Sequence, residues 1–260
     1  MKKLITKGVI CLKDHLNLTY KVSDIEYIEY ENGDFSYFFY PHYNVIDILN
    51  TNLFQGIPGL DLSKRLDCYE RHNITPVFIS ERTPSQNRED LWQLLEEYNM
   101  KSLNRLKWLL KTDTQYSGDK LYAKEKNEKD DNPIIKIESM FDLVKRTDAI
   151  HKALLEIICY GNYLQCKEIT INDENRKYYY DLLMPIYEKE YTLKRKIIQN
   201  IREAAKNSNF YKGRKKISID QLLLDKTIKD YQNKNITLEV ALNKLKISKA
   251  TFFRRLKDYR

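Results

Sequence analysis

The sequence predicts three successive architectures along 260 residues. We expect an α+β domain over residues 1–126, a small α/β (βαβ) unit with a long helix over residues 134–210, and an all-α helix-turn-helix domain over residues 211–260. Three patterns predict this order: short β-branched and aromatic runs, then an apolar strand–helix–strand pattern, then apolar residues at helical spacing. The charged stretch at residues 124–133, which ends in a proline, predicts an exposed linker at residues 127–133, because such a stretch has little apolar surface to bury.

The first region carries runs that are typical of strands, separated by turn signals. The turn Glu31-Asn32-Gly33-Asp34 lies between two of these runs. The runs predict a small antiparallel sheet made from residues 5–12, 25–30 and 34–40. Leucines at helical spacing then predict two helices, at residues 88–97 and 103–110.

The order of these elements is similar to the N-terminal subdomain of HipA-type toxin kinases. The likeness rests on the strand at residues 35–40, on Pro76-Val77-Phe78 before a polar loop, on the leucine-rich helix pair and on Gly118-Asp119. The rest of the sequence lacks a kinase's glycine-rich loop and metal-binding aspartates, so phosphotransfer is not expected. The resemblance leaves a binding surface for a protein partner within residues 1–126. The polar loop 81–90 is either part of that surface or the capped entry of a helix.

The middle region predicts a βαβ unit followed by one long helix. Residues 134–137 and 166–171 have strand character, and residues 142–159 between them have helical spacing. Parallel strands need such a crossover connection, and we expect it to be right-handed. Residues 178–207 then carry an apolar stripe, which indicates either packing against the βαβ unit or pairing with a second copy. The stripe consists of Tyr187, Tyr191, Ile198, Ile201 and Ala205.

The last fifty residues have the spacing of three short helices. Ser218 is the expected cap of the first, whose apolar positions are Leu222, Leu223, Ile228 and Tyr231. Thr237 is the expected cap of the second, whose buried face is Val240, Ala241, Leu242 and Leu245. After a turn at Lys246-Ile247, Ser248 caps the third helix, in which Phe252 and Leu256 face inward.

The outer side of the third helix is small, polar and cationic. It is formed by Lys249, Ala250, Thr251, Arg254 and Arg255. A helix fits the major groove of B-form DNA, where arginine can donate two hydrogen bonds to a guanine edge. The pattern therefore predicts double-stranded DNA as a partner. The alternative is the end of a helical bundle with a solvated basic face.

Residues 132–260 resemble serine resolvases and invertases. The resemblance rests on the tract Tyr211-Lys212-Gly213-Arg214-Lys215-Lys216, the helix-turn-helix and the ending at residues 247–256. It implies that Gly213 and Arg214 lie in the minor groove, that Thr251 is near a phosphate, and that Ala250 and Arg254 meet base edges. The turn residue Lys246 departs from the family, which usually has glycine there. The DNA-binding residues expected from spacing and resemblance together are Gly213, Arg214, Lys215, Lys216, Ser248, Lys249, Ala250, Thr251, Arg254 and Arg255.

Catalytic parts of that family are missing from the sequence. No Arg-Val-Ser motif occurs, and where the family has a pair of arginines only Arg146 remains. Ser139 has no arginine cluster beside it, so we interpret it as structural and expect no catalytic residue. The leading hypothesis is a non-enzymatic, dimeric DNA-binding protein that regulates transcription or assists recombination for a mobile element. The alternatives are an active serine recombinase and a toxin–antitoxin type interaction protein anchored on DNA.

Composition supports a DNA partner without proving it. The net charge is +8, and much of the excess falls after residue 190. The four cysteines and four histidines show no metal-binding spacing, so reduced thiols, no metal and no cofactor are expected. No apolar run reaches the roughly 18 to 20 residues of a membrane span, which predicts a cytoplasmic protein without membrane contact.

Overall fold

The computed structural model describes residues 2–112, 114–116, 118–127, 130–144, 146–207 and 219–257. The chain forms two compact units, residues 1–197 and residues 198–260. The larger unit combines an antiparallel sheet with helices, whereas the smaller unit is helical over residues 221–257 apart from its connections. The prediction of a mixed α and β protein is therefore confirmed.

The larger unit is organised around a five-stranded sheet in the order β4-β3-β2-β1-β5, with antiparallel neighbours. The hairpin between its second and third strands turns at Gly33, which has φ +88°, and Tyr30 N donates to Asp34 O at 2.9 Å across that turn. Three strands were predicted, and β4 and β5 complete the sheet at its two edges. The strands are β1 (Lys2–Lys13), β2 (Thr19–Tyr30), β3 (Phe35–Pro41), β4 (Tyr69–His72) and β5 (Leu121–Glu125).

Along the chain, short helices connect β3 to β4 and β4 to β5. They are α1 (Tyr43–Ile46), α2 (Val77–Ser80), α3 (Leu91–Glu97) and α4 (Arg105–Thr112). The last two occupy the predicted helical stretches. Helix α4 buries Leu106 and Leu109 and crosses β1 closely at Gly8. A Cβ atom at Gly8 would lie 2.6 Å from Leu110 Cδ2, so this crossing needs glycine.

A parallel strand pair joined through a helix is present in this region, but its second strand is not the predicted one. Its strands β6 (Ile134–Lys136) and β7 (Tyr163–Gln165) are parallel and are joined through α5 (Ile150–Cys159). The second strand was predicted at residues 166–171, where instead β8 (Thr170–Ile171) pairs antiparallel with β7. The helix was predicted from residue 142, but a 3-10 turn at Met140–Leu143 ends at Val144, whose extended backbone interrupts any helix there.

One residue of the stretch predicted as an exposed linker, Asp130, is buried in the larger unit. Asp130 is only 2% exposed and accepts a hydrogen bond from Asn127 N at 2.7 Å and another from the Tyr160 hydroxyl. Lys21, which is 1% exposed, donates from β2 to the backbone oxygen of Asp130 and to Asn132 Oδ1. The prediction of a solvated stretch therefore does not hold at Asp130, whose charge is paired inside the larger unit, whereas Asp131 is exposed.

The long helix α6 (Arg176–Asn207) follows β8, close to its predicted bounds. Arg176 is buried, and its guanidinium donates to the carbonyl oxygens of Ile158, Gly161 and Asn162 at the end of α5. Ile158 lies in the last turn of α5 and the other two residues follow that helix, so Arg176 ties the start of α6 to the end of α5. Tyr187 is buried in the core and Tyr191 is half-buried, whereas Ile198 and Ile201 of the predicted stripe are exposed.

The smaller unit contains α7 (Gln221–Gln232), α8 (Leu238–Leu245) and α9 (Lys249–Lys257). Its own apolar cluster is formed by Leu224, Ile228, Ala241, Leu245, Ile247 and Phe252. Thr237 caps α8 as predicted. Asp220 caps α7 through Leu222 N and Leu223 N, whereas the predicted cap, Ser218, lies outside the described residues.

The apolar faces of α7 and α8 differ from the prediction at three positions. Leu222 is 81% exposed, and Leu223 and Val240 are also exposed. In α7 the buried residues are Leu224, Thr227 and Ile228, which lie three and four positions apart on one side of the helix. Leu222 and Leu223 lie outside that side, so the predicted helix was correct but its buried face was rotated.

Candidate nucleic-acid interface

The connection between α8 and α9 is a tight turn centred on Lys246. Lys246 has φ 50° and ψ 42°, and its backbone N–H donates to Leu242 O. This left-handed conformation closes a helix most easily with glycine, and a lysine adopts it at a cost of about 1 kcal/mol. The next residue, Ile247, is buried in the cluster of the smaller unit. The turn predicted from the sequence is therefore present, and it holds a non-glycine residue at positive φ.

The packing of Phe252 fixes the orientation of α9. This ring is fully buried and meets the Tyr231 ring of α7 edge-on, with 5.2 Å between centroids. Ser248 begins the helix, because its hydroxyl accepts from Thr251 N at 3.4 Å and its carbonyl accepts from Phe252 N at 3.0 Å. The inward position of Phe252 is confirmed, and the opposite side of α9 consequently faces away from the cluster.

The outward side of α9 holds most of the predicted contact residues. Ser248, Lys249, Ala250 and Arg254 are exposed, and Thr251 is half-buried with its hydroxyl 3.1 Å from Ser248 Oγ. Neither Lys249 nor Arg254 forms an ion pair with any residue of the described ranges. Their charges are thus available to an external anion.

Arg255 was predicted on the outer side, but it is half-buried. Its Nε is buried and has no hydrogen-bond partner among the described residues. The position follows Phe252 by three residues, so the aliphatic stem of Arg255 lies against the same part of the unit as that ring. We correct its assignment from an outward contact residue to a flanking, partly packed one.

The basic tract at Gly213, Arg214, Lys215 and Lys216 lies outside the described residues. The predicted contact residues that the structure describes therefore lie on α9 and at Ser248, which precedes it. A small residue, Ala250, lies between the two exposed cations of α9 in sequence. The small side chain of Ala250 leaves room for an anionic ligand to approach α9 closely.

The two residues considered for catalysis are not brought together as a catalytic site. Ser139 Oγ accepts from Phe141 N and donates to Glu168 Oε1 at 2.9 Å, and Asp142 accepts from Ser139 N, which completes a capping box. Ser139 therefore starts a 3-10 turn. Arg146 is exposed and precedes the next 3-10 turn, Thr147–Ala149.

A buried charge network in the larger unit was not predicted. Asp24 lies 2.9 Å from Lys126 Nζ and 3.3 Å from both Lys21 Nζ and His42 Nε2. Burial alone would raise the pKa of Asp24, but His42, Lys126 and Lys21 outweigh it and hold this pKa well below its ordinary value. Burial lowers the pKa of Lys21. The members are scattered from residue 21 to residue 126, so no local motif in the sequence marks the network.

The cysteines and histidines offer no obvious reactive centre. Cys11 and Cys159 are buried free thiols, and burial raises the pKa of Cys11 to about 12, which keeps it protonated. Over the described ranges, no three side chains of His, Cys, Asp or Glu come together to hold a metal ion. None of the helices in the described part of the chain combines the length and the apolar character needed to cross a membrane.

Comparison with known proteins gives no relative for the chain. No family model, no curated protein and no solved structure matches it. The functional argument therefore rests on the chain's own residues.

Proposed function

We propose that the smaller unit binds double-stranded DNA and that α9 reads base edges in the major groove. The observation that carries this proposal is the exposure of Lys249, Ala250 and Arg254 on a helix whose opposite side is fixed by buried Phe252. The unit has three helices, a tight turn between α8 and α9, and a cationic third helix. This is the geometry of a helix-turn-helix.

The residue types on α9 suit separate roles in such a complex. Arg254 carries a planar guanidinium that can donate two hydrogen bonds to O6 and N7 of guanine. Lys249 and the hydroxyls of Ser248 and Thr251 suit phosphate oxygens, because phosphate contacts come from cations, hydroxyls and helix N-termini. Ala250 permits close approach and can contact a thymine methyl group.

The tract before α7 supports a second contact in this proposal. An extended Gly213-Arg214 segment is narrow enough for a minor groove about 6 Å wide, and an A·T-rich groove concentrates negative potential that attracts arginine. Arg214→Ala should then weaken binding more on duplexes with an A·T flank than on those with a G·C flank. An equal loss on both flanks would reduce the tract to a general attraction for phosphate.

A homodimer on DNA fits one exposed face of α6. Leu182, Ile186, Leu193 and Ile197 are all exposed and are spaced four, seven and four residues apart, so they form one apolar stripe along the helix. The stripe is about 22 Å long at 1.5 Å per residue. Such spacing suits pairing with the same helix of a second copy, and two copies would read two half-sites.

The proposed role is that of a regulator or accessory factor rather than a nuclease. The supporting observation is that Ser139, the serine nearest to the expected catalytic stretch, holds a 3-10 turn, while the sequence has no Arg-Val-Ser motif. Derivation from a serine recombinase, and action for a mobile element, remain parts of this proposal. A covalent protein–DNA intermediate on supercoiled DNA carrying the bound site would instead support the recombinase alternative.

Selection from a pool of random duplexes tests the proposed function. The full chain should enrich one motif with two similar half-sites, and its affinity for that motif should fall steeply with salt. Enrichment of no motif, with binding that is equally weak on every duplex, would refute specific recognition. A single enriched half-site with one protein per duplex would refute the dimer alone.

A further inference from the structure

A cleft of about 400 Å³ lies in the larger unit between β6 and α5. Its walls come from β6, from the 3-10 turn at Met140–Leu143, from α5 and from the start of β2. Small-molecule sites in proteins commonly have volumes of roughly 300 to 1,000 Å³. The cleft is therefore large enough for a small organic molecule.

Most of the cleft wall is apolar, with a few polar groups at defined places. The apolar residues are Ile135, Leu143, Ala153 and Ile157, and the polar residues are Thr19, Glu156, Tyr160 and Asn162. An apolar wall with few polar groups is typical of a ligand site, because burial supplies affinity while the polar atoms fix orientation.

Asn162 supplies a polar atom without a partner. Its side-chain Oδ1 is buried and accepts no hydrogen bond within the part of the chain that the structure describes. The backbone of the same residue is held firmly, since its N–H donates to Ile157 O at 3.1 Å and its carbonyl accepts from Arg176 at 3.0 Å. Buried acceptors are nearly always satisfied in folded proteins, so this one calls for a donor from outside the chain.

Two other polar side chains of the cleft, those of Tyr160 and Glu156, already have partners. The Tyr160 hydroxyl donates to Asp130, and Glu156 lies 3.1 Å from Lys152 Nζ in an ion pair at the surface. That pair is neutral overall, so it favours neither a cationic nor an anionic occupant. The requirement that remains is one donor opposite Asn162 Oδ1 and an apolar body against the walls.

We propose that this cleft binds a small, uncharged, mostly apolar molecule whose N–H or O–H group donates a hydrogen bond to Asn162 Oδ1. The proposal stands on the cleft and its unpaired acceptor, and it does not depend on DNA binding. Aromatic molecules with one ring N–H, such as indole, have the required chemistry and serve as probes.

Methyl NMR of the full chain with indole and with 1-methylindole tests the proposal. Indole should shift the methyl signals of Ile135, Leu143 and Ile157 in a saturable way. The methylated probe keeps the apolar body but lacks the donor, so it should bind about tenfold more weakly. Equal binding of the two probes would overturn the role of Asn162, and absence of shifts up to the solubility of indole would overturn the site.

Two variants separate the cleft from the surrounding surface. Ala153→Phe places a ring in the cleft and should abolish the indole shifts, whereas Lys152→Phe places the same ring at the neighbouring exposed position and should leave them intact. Asn162→Leu should remove the preference for indole over 1-methylindole. Persistence of the indole shifts in Ala153→Phe, with the methyl spectrum of a folded protein, would show that the probe binds elsewhere and would overturn the proposal.

Discussion

Burial separates the arginines of this chain into two kinds. Arg176 is 1% exposed, and its guanidinium donates hydrogen bonds to three backbone carbonyl oxygens. These bonds stabilise the junction of α5 and α6. Arg254 is exposed and has no ion-pair partner in the described ranges. Arg255 lies between these cases, since the residue is half-buried and its Nε is buried. Only exposed, unpaired arginines can be used for recognition without first breaking a contact inside the protein.

Arg254→Ala should weaken binding to the selected duplex by about 1 to 3 kcal/mol, because it removes a bidentate contact to one base. The loss of affinity should be large on duplexes that have the preferred base pair at the position that Arg254 contacts. It should be small on duplexes that have another base pair there. Affinities of both proteins for every single base-pair replacement of the duplex would show this. A uniform loss on all duplexes would place Arg254 on a phosphate.

Asp24 should make stability depend on acid pH. Its folded pKa lies below the unfolded value near 3.9, so its contribution is complete above that value and is lost as pH falls through the lower folded pKa. Asp24→Asn should therefore be less stable than the native chain at pH 7, with a difference that shrinks below pH of about 4. Urea unfolding of both proteins across this range measures the effect, and a difference that stays constant with pH would contradict it.

At the scale of elements, short connections position the interface. The turn at Lys246 sets where α9 begins, Ser248 caps it, and Phe252 fixes its rotation against α7. On α6, one side is held by Tyr187 and Arg176 while the stripe from Leu182 to Ile197 is open. Each element thus has one side committed to its own unit and another side available to a partner.

Lys246→Gly should stabilise the smaller unit by about 1 kcal/mol, because glycine adopts a φ of 50° without the steric cost of a Cβ atom. Lys244→Gly is the matched control. Lys244 lies in the last turn of α8, where glycine should destabilise by about 1 kcal/mol. Hydrogen exchange of the amides in α8 and α9 would measure both changes, and equal signs for the two variants would contradict the assignment of strain to Lys246.

Replacing Leu193 and Ile197 together by Gln should lower the stoichiometry on a two-half-site duplex from two proteins to one. The two residues lie on the exposed stripe of α6, and polar side chains there remove the apolar surface that pairing would bury. Thr192→Gln, on another side of the same helix, should leave two proteins bound. Sedimentation of the complexes decides this, and an unchanged stoichiometry in the double variant would exclude the stripe as the dimer contact.

For the whole molecule, local sequence patterns predicted the helices and strands better than the contacts between them. The hairpin at Gly33, strand β6, helix α6 and the three C-terminal helices follow from turn residues and periodicity, whereas β7 lies outside the predicted strand. The linker prediction failed at Asp130 because this residue finds its partners at Lys21 and Tyr160, which are distant in sequence. Leu222 and Arg255 were misplaced because helical spacing alone allows a face to be rotated by one residue. The cleft at Asn162 depends on contacts between elements and has no signature in the sequence.

The central claim is that the exposed side of α9 binds DNA. Its most direct measurement compares the affinity of three full-length proteins for the selected duplex: the native chain, Lys249→Glu/Arg254→Glu, and Lys101→Glu/Lys107→Glu. The two variants carry the same change in net charge, and Lys101 and Lys107 are exposed in the larger unit. We predict loss of specific binding only for the variant in α9, with near-native affinity for the other. Equal loss in both variants would mean that net charge rather than α9 attracts the DNA, and retained specific binding by the α9 variant would contradict the account.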